Sequence, residues 1–451
     1  MNLLQKYTVP GPRYTSYPTV PYWDLDRPTD ESWENRMLKT FLKSNDEKGI
    51  SIYIHLPYCE SLCTYCACNK RITKNHHVEE PYIRTILTEW KKYIALFSTK
   101  PKLAELHLGG GTPTFFSPKN LKILLDEILS TVILMSDADL SFEGHPANTS
   151  NNHLETLYSI GFRRVSFGIQ DFNEQVQQAI HRFQSFKDVE IVTETARAKG
   201  YTSINYDLIY GLPFQTLAST ISTIEDVIKL NPNRIAYYSY AHVPWVSPGQ
   251  RMYTEIDLPS PELKRRMYET GRELLENAGY HEIGMDHFAL ESDPLMLAEK
   301  TGILNRNFMG YTTTQSELII GLGASSISDC GTGYIQNEKN SEAYIALINN
   351  GEWAISRGHL LNREDQIIRE HIKNLMCRFE TSWECTRLQT DAWLEGLERI
   401  DELIADHLVI KEPYKLFVTE KGKNYIRNIC MAFDARLWRN LPSTQLFSST
   451  I

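Results

Sequence analysis

Short apolar runs alternate with longer stretches of helical period through the middle of the chain. Candidate strands are SIYIHLP (51–57), LAELHLGG (103–110), DLSFEGHP (139–146), RVSFGIQ (164–170), SINYDLIYG (203–211) and RIAYYSYA (234–241). Between them apolar positions recur at helical spacing, as in VEEPYIRTILTEWKKYIALF (78–97) and TLASTISTIEDVIKL (216–230). Strand-then-helix units in succession predict a parallel sheet with right-handed crossovers. Six units are too few to close the usual eight-stranded barrel, so the pattern predicts an α/β fold built on a partial (β/α)6 barrel. Chemistry in such barrels sits at the C-terminal ends of the strands. The segments PYCESLC, GGGTPT, EGHP, QDF, YGLP and AHVP each follow a strand directly.

The flanks read differently. Residues 1–50 hold a Pro/Tyr-rich arm and one helix, and residues 51–355 the barrel with its C-terminal extension. The extension carries two helical patterns, YHEIGMDHFAL (280–290) and the Gly-rich turn GLGASSIS (321–328). Residues 356–451 read as helices, then HLVIKEPYKLFVTEKGKNYI (407–426), a hairpin followed by a helix. That order predicts a small, mostly helical, winged-helix-like domain. Its 13 Lys+Arg against 14 Asp+Glu over 361–451 lack the basic excess of a DNA binder, which points to scaffold or lid duty.

Composition narrows the class. The chain has 451 residues, 42% hydrophobic and 23% charged, which are ordinary globular values. A formal charge of -9 disfavours nucleic acid and anionic lipid as partners. No apolar run is long enough to span a bilayer, and MNLLQKYTVPGPRYTSYP has no secretory h-region. Cytoplasm is the expected compartment, where thiols stay reduced. Cys330, Cys377, Cys385 and Cys430 are scattered and read as buried small hydrophobes.

The other four cysteines fall in CESLCTYCAC (59–68). Cys59, Cys63 and Cys66 are spaced C-x3-C-x2-C, with Cys68 two residues on. A structural zinc site would show two separated ligand pairs, and no second Cys/His pair stands at zinc-finger spacing. Three thiolates on one loop suit a [4Fe-4S] cluster with one iron free of protein ligands. In GGGTPT (109–114), glycines let backbone groups approach a ligand without a Cβ in the way.

That cysteine spacing, on the loop after the first strand of a β/α repeat, is similar to the radical S-adenosylmethionine enzymes. The likeness then sharpens over nearly the whole chain. VPGPRYTSYPT (9–19), YIHLPYCESLCTYCACNK (53–70), HLGGGTPT (107–114), GIQDFNEQVQ (168–177), NYDLIYGLP (205–213), YAHVPW (240–245), GMDHFA (284–289), NFMGYTT (307–313) and NICMAFD (428–434) resemble the oxygen-independent coproporphyrinogen III oxidases. Related haem chaperones, like haem-opening methyltransferases, are the alternative. The chaperones usually lack a cysteine at position 68 and the Arg-Tyr-Thr-Ser-Tyr-Pro arm, both present here.

The resemblance implies conversion of coproporphyrinogen III to protoporphyrinogen IX in haem biosynthesis, two propionates becoming vinyl groups. It implies a [4Fe-4S] cluster on Cys59, Cys63 and Cys66 and two molecules of S-adenosylmethionine. Tyr53, Gly110, Glu143 and Ile327 match positions holding the first. Tyr65, Gly111, Thr112, Gln170, Arg182, Asp207 and Ala241 match those of the second. Cys68 is then no ligand but a residue of turnover. Glu143 stands in EGHP where relatives tend to read Glu-Val-Asp-Pro, so Gly144 and His145 change that loop. Four substrate propionates call for cations, with Arg13, Arg251 and Arg306 as candidates. Tyr14 and Tyr17 either cover the tetrapyrrole, making the arm a lid, or anchor the arm in the core. A flavodoxin or ferredoxin is the expected electron donor, and a monomer the expected state.

Overall fold

The computed structural model describes residues 3–24, 27–245, 247–384 and 388–450. Cys385 lies outside the described residues. Six strands fall where the alternation places them: β1 (Ile50–Leu56), β2 (Lys102–Gly110), β3 (Ile133–Gly144), β4 (Arg164–Gln170), β5 (Ser203–Tyr210) and β6 (Arg234–Ser239). β3 begins well ahead of its apolar run, because its first residues are exposed and carry no alternation. Helices α1 (Asp30–Lys48), α2 (Glu79–Leu96), α3 (Pro118–Ser130), α4 (Asn151–Ile160), α5 (Phe186–Lys199), α6 (Leu217–Leu230) and α7 (Pro261–Asn277) lie before, between and after them. No helix among the described residues is long and apolar enough to cross a membrane.

The sheet is larger than six strands. It adds β7 (Tyr280–Gly284), β8 (His287–Leu290), β9 (Leu318–Leu322), β10 (Ile327–Asp329), β11 (Gly333–Asn337) and β12 (Ile355–Leu360). The order is β12-β11-β10-β9-β1-β2-β3-β4-β5-β6-β8-β7. β9 pairs parallel with β1, a seventh parallel strand that the sequence pattern left unmarked. The remaining additions are antiparallel and flank both edges, so the barrel stays open.

Alternation in β1 sets two faces. Ile50, Ile52, Ile54 and Leu56 are fully buried in the main core, which also holds Tyr82, Ile86, Trp90 and Tyr93 of α2. Burying each such aliphatic side chain contributes roughly 1.5–3 kcal/mol. Ser51, Tyr53 and His55 take the opposite face. There Ser51 donates to Glu105 (2.8 Å), while Tyr53 stands opposite His107 in register. The barrel interior is therefore polar, and its deeper charges are paired. Arg164 meets Asp139 at 2.6 Å, and Arg234 meets Asp293 at 2.7 Å.

A second core forms from both ends of the chain. Helices α8 (Arg363–Arg378), α9 (Asp391–Arg399) and α10 (Ile426–Ala432) surround Trp393, which stacks on His371 at 3.7 Å and Phe433 at 4.2 Å. A three-stranded antiparallel sheet (Glu380–Ser382, Val409–Glu412, Lys415–Val418) completes the expected helix-then-hairpin order. The N-terminal arm packs here. Tyr14 and Tyr17 are 4% and 2% exposed, and Tyr14 donates to Asp434 at 3.0 Å. Of their two roles, burial favours anchoring over covering a ligand. Cys330, Cys377 and Cys430 are buried as expected.

Glu89 on α2 carries a consequence for pH. Its buried carboxylate accepts from Tyr344 (2.7 Å), Asn337 (2.6 Å) and the backbone N–H of Gly323 (2.9 Å). Burial outweighs those bonds and pushes it up to about 7. A raised acid contributes stability below its unfolded value, near pH 4.3, which is lost as pH rises through about 7. Denaturant unfolding at pH 5 and pH 8 therefore shows a drop of order 3 kcal/mol from this group. Glu89→Gln flattens that difference.

Candidate active site

The loop after β1 is held from three directions. Gly111 N–H donates to Leu56 (2.9 Å) and Thr112 N–H to Tyr58 (3.1 Å), extending the β1–β2 ladder past the strand ends. Thr64 N–H donates to Ile180 (2.9 Å). Gln250 reaches the Tyr65 carbonyl (3.1 Å), while Ser247 (3.1 Å) and Lys70 (2.9 Å) reach that of Cys66. Neither Gln250 nor Ser247 stood out in the sequence, since both lie beyond the matched YAHVPW stretch.

Cys59, Cys63, Cys66 and Cys68 are all free thiols. Cys59 Sγ lies 3.3 Å from Thr112 Oγ1, and Arg182 Nη1 donates to Cys63 Sγ at 3.6 Å. Burial pushes the Cys59 thiol up to about 11, whereas a hydrogen bond from Cys68 holds Cys66 down at about 6. Among the described residues no three His, Cys, Asp or Glu side chains close on a single ion. The backbone supplies the cradle: a Cβ on Gly111 would lie 2.5 Å from the Pro57 carbonyl oxygen and 3.0 Å from Cys59 Sγ. The donor set and this cradle fit the cluster.

Beside the loop lies a cleft of about 280 Å³. Tyr53, Gly110, Glu143 and Ile327, matched to the first S-adenosylmethionine, all line it, and so does Cys68. Tyr53 donates to His55 Nδ1 (3.1 Å), and His55 Nε2 then donates to the Asn69 carbonyl (2.9 Å). Burial lowers the His55 pKa and keeps the ring neutral. His107 bridges Ser141 (2.8 Å) and Glu143 (3.4 Å). Gly110 adopts φ +122°, which side-chain-bearing residues rarely enter. His55, His107, Phe308 and Met309 were missed as lining residues, although each sits within or beside a matched motif.

The second set lies along the carboxyl ends of β2, β4, β5 and β6. Arg182 donates to the Gly168 carbonyl as well as to Cys63, and its Nε is buried without a partner. Gln170, with φ 68°, brings its amide close to Gly168 beside that guanidinium. Asp207 is pushed up to about 6 by burial and by Glu143, despite bonds from Asn205 (2.9 Å) and Ser166 (3.1 Å). Tyr65 is half-buried beside Arg182; burial raises its pKa and the arginine charge opposes the rise. The Ala241 carbonyl accepts from Gln250 at 3.1 Å, which links it to the cluster loop. His145 accepts from Ala147 N–H (3.1 Å), and burial drops it to about 3, so this ring is neutral.

The substrate candidates separate. Arg13 is paired with Asp286 at 2.9 Å. Arg251 is exposed and donates to the Pro244 carbonyl at 3.1 Å. Tyr14 lies in the second core. Arg306 is half-buried over the ring of Tyr311, its cation 4.5 Å from the centroid.

A three-thiol loop at the mouth of an open parallel barrel defines a class, and the radical SAM superfamily model matches residues 53–227. That class works with a [4Fe-4S] cluster and S-adenosylmethionine. The chain is 37% identical to the oxygen-independent coproporphyrinogen III oxidase of Escherichia coli (strain K12), across 100% of this chain and 98% of that protein. The Pseudomonas aeruginosa enzyme of the same name is 38% identical with the same coverage. The solved Escherichia coli coproporphyrinogen III oxidase, described as a radical SAM enzyme, superposes with TM-score 0.88 at 36% identity, covering 94% of this chain and 97% of that one. The chain belongs to the family of oxygen-independent coproporphyrinogen III oxidases.

Gly111→Ala tests the cradle. Its Cβ forces the Pro57 carbonyl or Cys59 aside, with overpacking strain of about 1–3 kcal/mol placed on the loop. Iron and acid-labile sulfide retained after anaerobic reconstitution fall relative to the unmodified chain, while far-ultraviolet circular dichroism is unchanged.

Proposed function

We propose that this chain is an oxidoreductase that converts coproporphyrinogen III to protoporphyrinogen IX without oxygen, as a step of haem biosynthesis. The observation that carries the reading is the placement of Cys59, Cys63, Cys66, Cys68, Tyr53, Gly110, Glu143 and Ile327 around one loop and cleft, in a chain matched end to end by that family. Each propionate that becomes a vinyl group loses carbon dioxide, one hydrogen atom to the deoxyadenosyl radical and one electron to an external one-electron acceptor. The cluster and S-adenosylmethionine supply radical hydrogen abstraction when bound.

The protein's own task is placement. Cys59, Cys63 and Cys66 would hold the [4Fe-4S] cluster through their thiolates. Tyr53, Gly110, Glu143 and Ile327 hold the first S-adenosylmethionine, with the Glu143 carboxylate accepting from its ammonium group. Tyr65, Gly111, Thr112, Gln170, Arg182, Asp207 and Ala241 hold a second molecule. There the Arg182 guanidinium pairs with a carboxylate and Asp207 accepts from ribose hydroxyls. Cys68 faces the cleft as a residue of turnover rather than a ligand. The enzyme works as a cytoplasmic monomer, reduced by a flavodoxin or ferredoxin.

The deciding experiment is anaerobic. The reconstituted, reduced protein with S-adenosylmethionine and coproporphyrinogen III should yield 5′-deoxyadenosine, carbon dioxide and protoporphyrinogen IX. Deoxyadenosine without decarboxylated product would overturn the substrate while leaving the class intact, and tight haem binding would then favour a chaperone. Cys59→Ser, Cys63→Ser or Cys66→Ser should abolish both cluster and product. Cys68→Ser should keep the iron content and lose turnover.

A further inference from the structure

Three arginines were candidates for the substrate's carboxylates, and their surroundings differ in kind. Arg13 already has its counter-ion, Asp286, and also donates to the Ser239 carbonyl (3.2 Å). Arg251 is exposed to water on the turn Pro248–Met252. Arg306 has neither. Its Nε and Nη1 are buried without a hydrogen-bond partner, and no carboxylate among the described residues lies within ion-pair distance of it. Two buried guanidinium nitrogens without acceptors are costly unless an anion comes to them.

The groups facing Arg306 do not supply that anion. Asp286 is engaged by Arg13. His287 is neutral, since burial drops it to about 4 and its Nδ1 bonds the Met285 carbonyl (2.8 Å). The half-buried Tyr238 places its hydroxyl 3.4 Å from His287 Nε2. Cys377 and Cys430 on the second core are also buried, their thiols held above the usual range.

Position links this charge to the cleft. Arg306 stands opposite Tyr311 in the two-stranded hairpin Asn305–Asn307 with Gly310–Thr312. Phe308 and Met309, at the turn of the same hairpin, line the cleft that also holds Cys68 and Glu143. Tyr311 donates to the Met376 carbonyl (2.9 Å) and accepts from Met285 N–H (3.1 Å), so the ring under the guanidinium is fixed.

We propose that Arg306 is the anchor for one propionate carboxylate of the tetrapyrrole, and that it sets selectivity for a free-acid substrate. This rests on the reading that the substrate is coproporphyrinogen III. The planar carboxylate replaces the missing counter-ion, and Tyr311 holds the guanidinium plane ready for it. Arg13 can serve a second carboxylate only by leaving Asp286.

Binding of coproporphyrin III, the stable oxidised form, and of its tetramethyl ester tests this by fluorescence titration of the reconstituted protein. The unmodified protein should prefer the free acid. Arg306→Gln should weaken acid binding by at least about tenfold while ester binding is unchanged. Arg306→Lys, read as well and relied on if the Gln variant fails to fold, should fall between. Unchanged acid binding in the variants, or equal losses for acid and ester, would overturn the anchor and leave the substrate reading standing. Failure of the unmodified protein to bind the free acid would overturn both.

Discussion

The site depends on how closely the end of β2 approaches the end of β1. Beyond the last paired residues, the amides of Gly111 and Thr112 still donate to Leu56 and Tyr58. Three consecutive glycines make this possible, and each answers a different obstacle. A Cβ at 109 would lie 2.9 Å from the Tyr53 ring, at 110 the same distance from the Leu56 backbone, and at 111 2.5 Å from the Pro57 carbonyl oxygen. With the strands held this near, Thr112 reaches Cys59 and the Tyr53 ring stays beside Glu143. The cysteine loop and the cleft are thus consequences of one backbone contact rather than independent features.

The barrel interior divides its charges by depth. Lower down, Arg164 is satisfied by Asp139, Arg234 by Asp293, and Glu105 by hydroxyls of Ser51 and Thr312. These pairs close a polar interior that water would otherwise fill. Towards the carboxyl ends of the strands the pairing stops. Arg182 and Arg306 each keep buried nitrogens without partners, and the Glu143 side chain is 45% exposed in the cleft. Unpaired neutral atoms such as Trp33 Nε1 and Trp393 Nε1 occur elsewhere, but among the described residues the charged groups with unmet buried nitrogens are these two arginines.

Much of this was legible in the sequence, and what was missed has physical causes. The six core strands showed because inward polar and outward apolar residues alternate, as in Ser51-Ile52-Tyr53-Ile54-His55. The cysteine spacing and the Gly109–Gly111 run are local in sequence, so their chemistry could be read directly. β9 to β12 were harder. β9, β10 and β11 are short, almost wholly buried and joined by tight turns, so no period marks them, and β12 stands apart from them beyond the helix Ser341–Asn349. Gln250 and Ser247 escaped because they act on the loop through backbone carbonyls across a long sequence separation. Tyr14 looked like a lid residue or an anchor with equal justice, and only its bond to Asp434 separates the two.

The second core bears on function through the hairpin it holds. Its buried members include Tyr14 and Tyr17 from the arm, Trp393 and Phe433 from the C-terminal helices, and Tyr311 from the 305–312 hairpin. Arg427 ties the arm to the chain's far end by donating to the carbonyls of Gly11, Pro12 (3.0 Å) and Ser449 (2.7 Å). Tyr311 is seated against Gly284, where a Cβ would come within 2.5 Å of its ring and hydroxyl. The hairpin's base is therefore clamped between β7 and α8, while Phe308 and Met309 at its turn reach the cleft. A helix-and-hairpin module with balanced charge has no evident use as a nucleic-acid reader in this setting. It has an evident one as the wall that fixes Arg306 and Phe308 against an open barrel, a wall the barrel's own six β/α units could not supply.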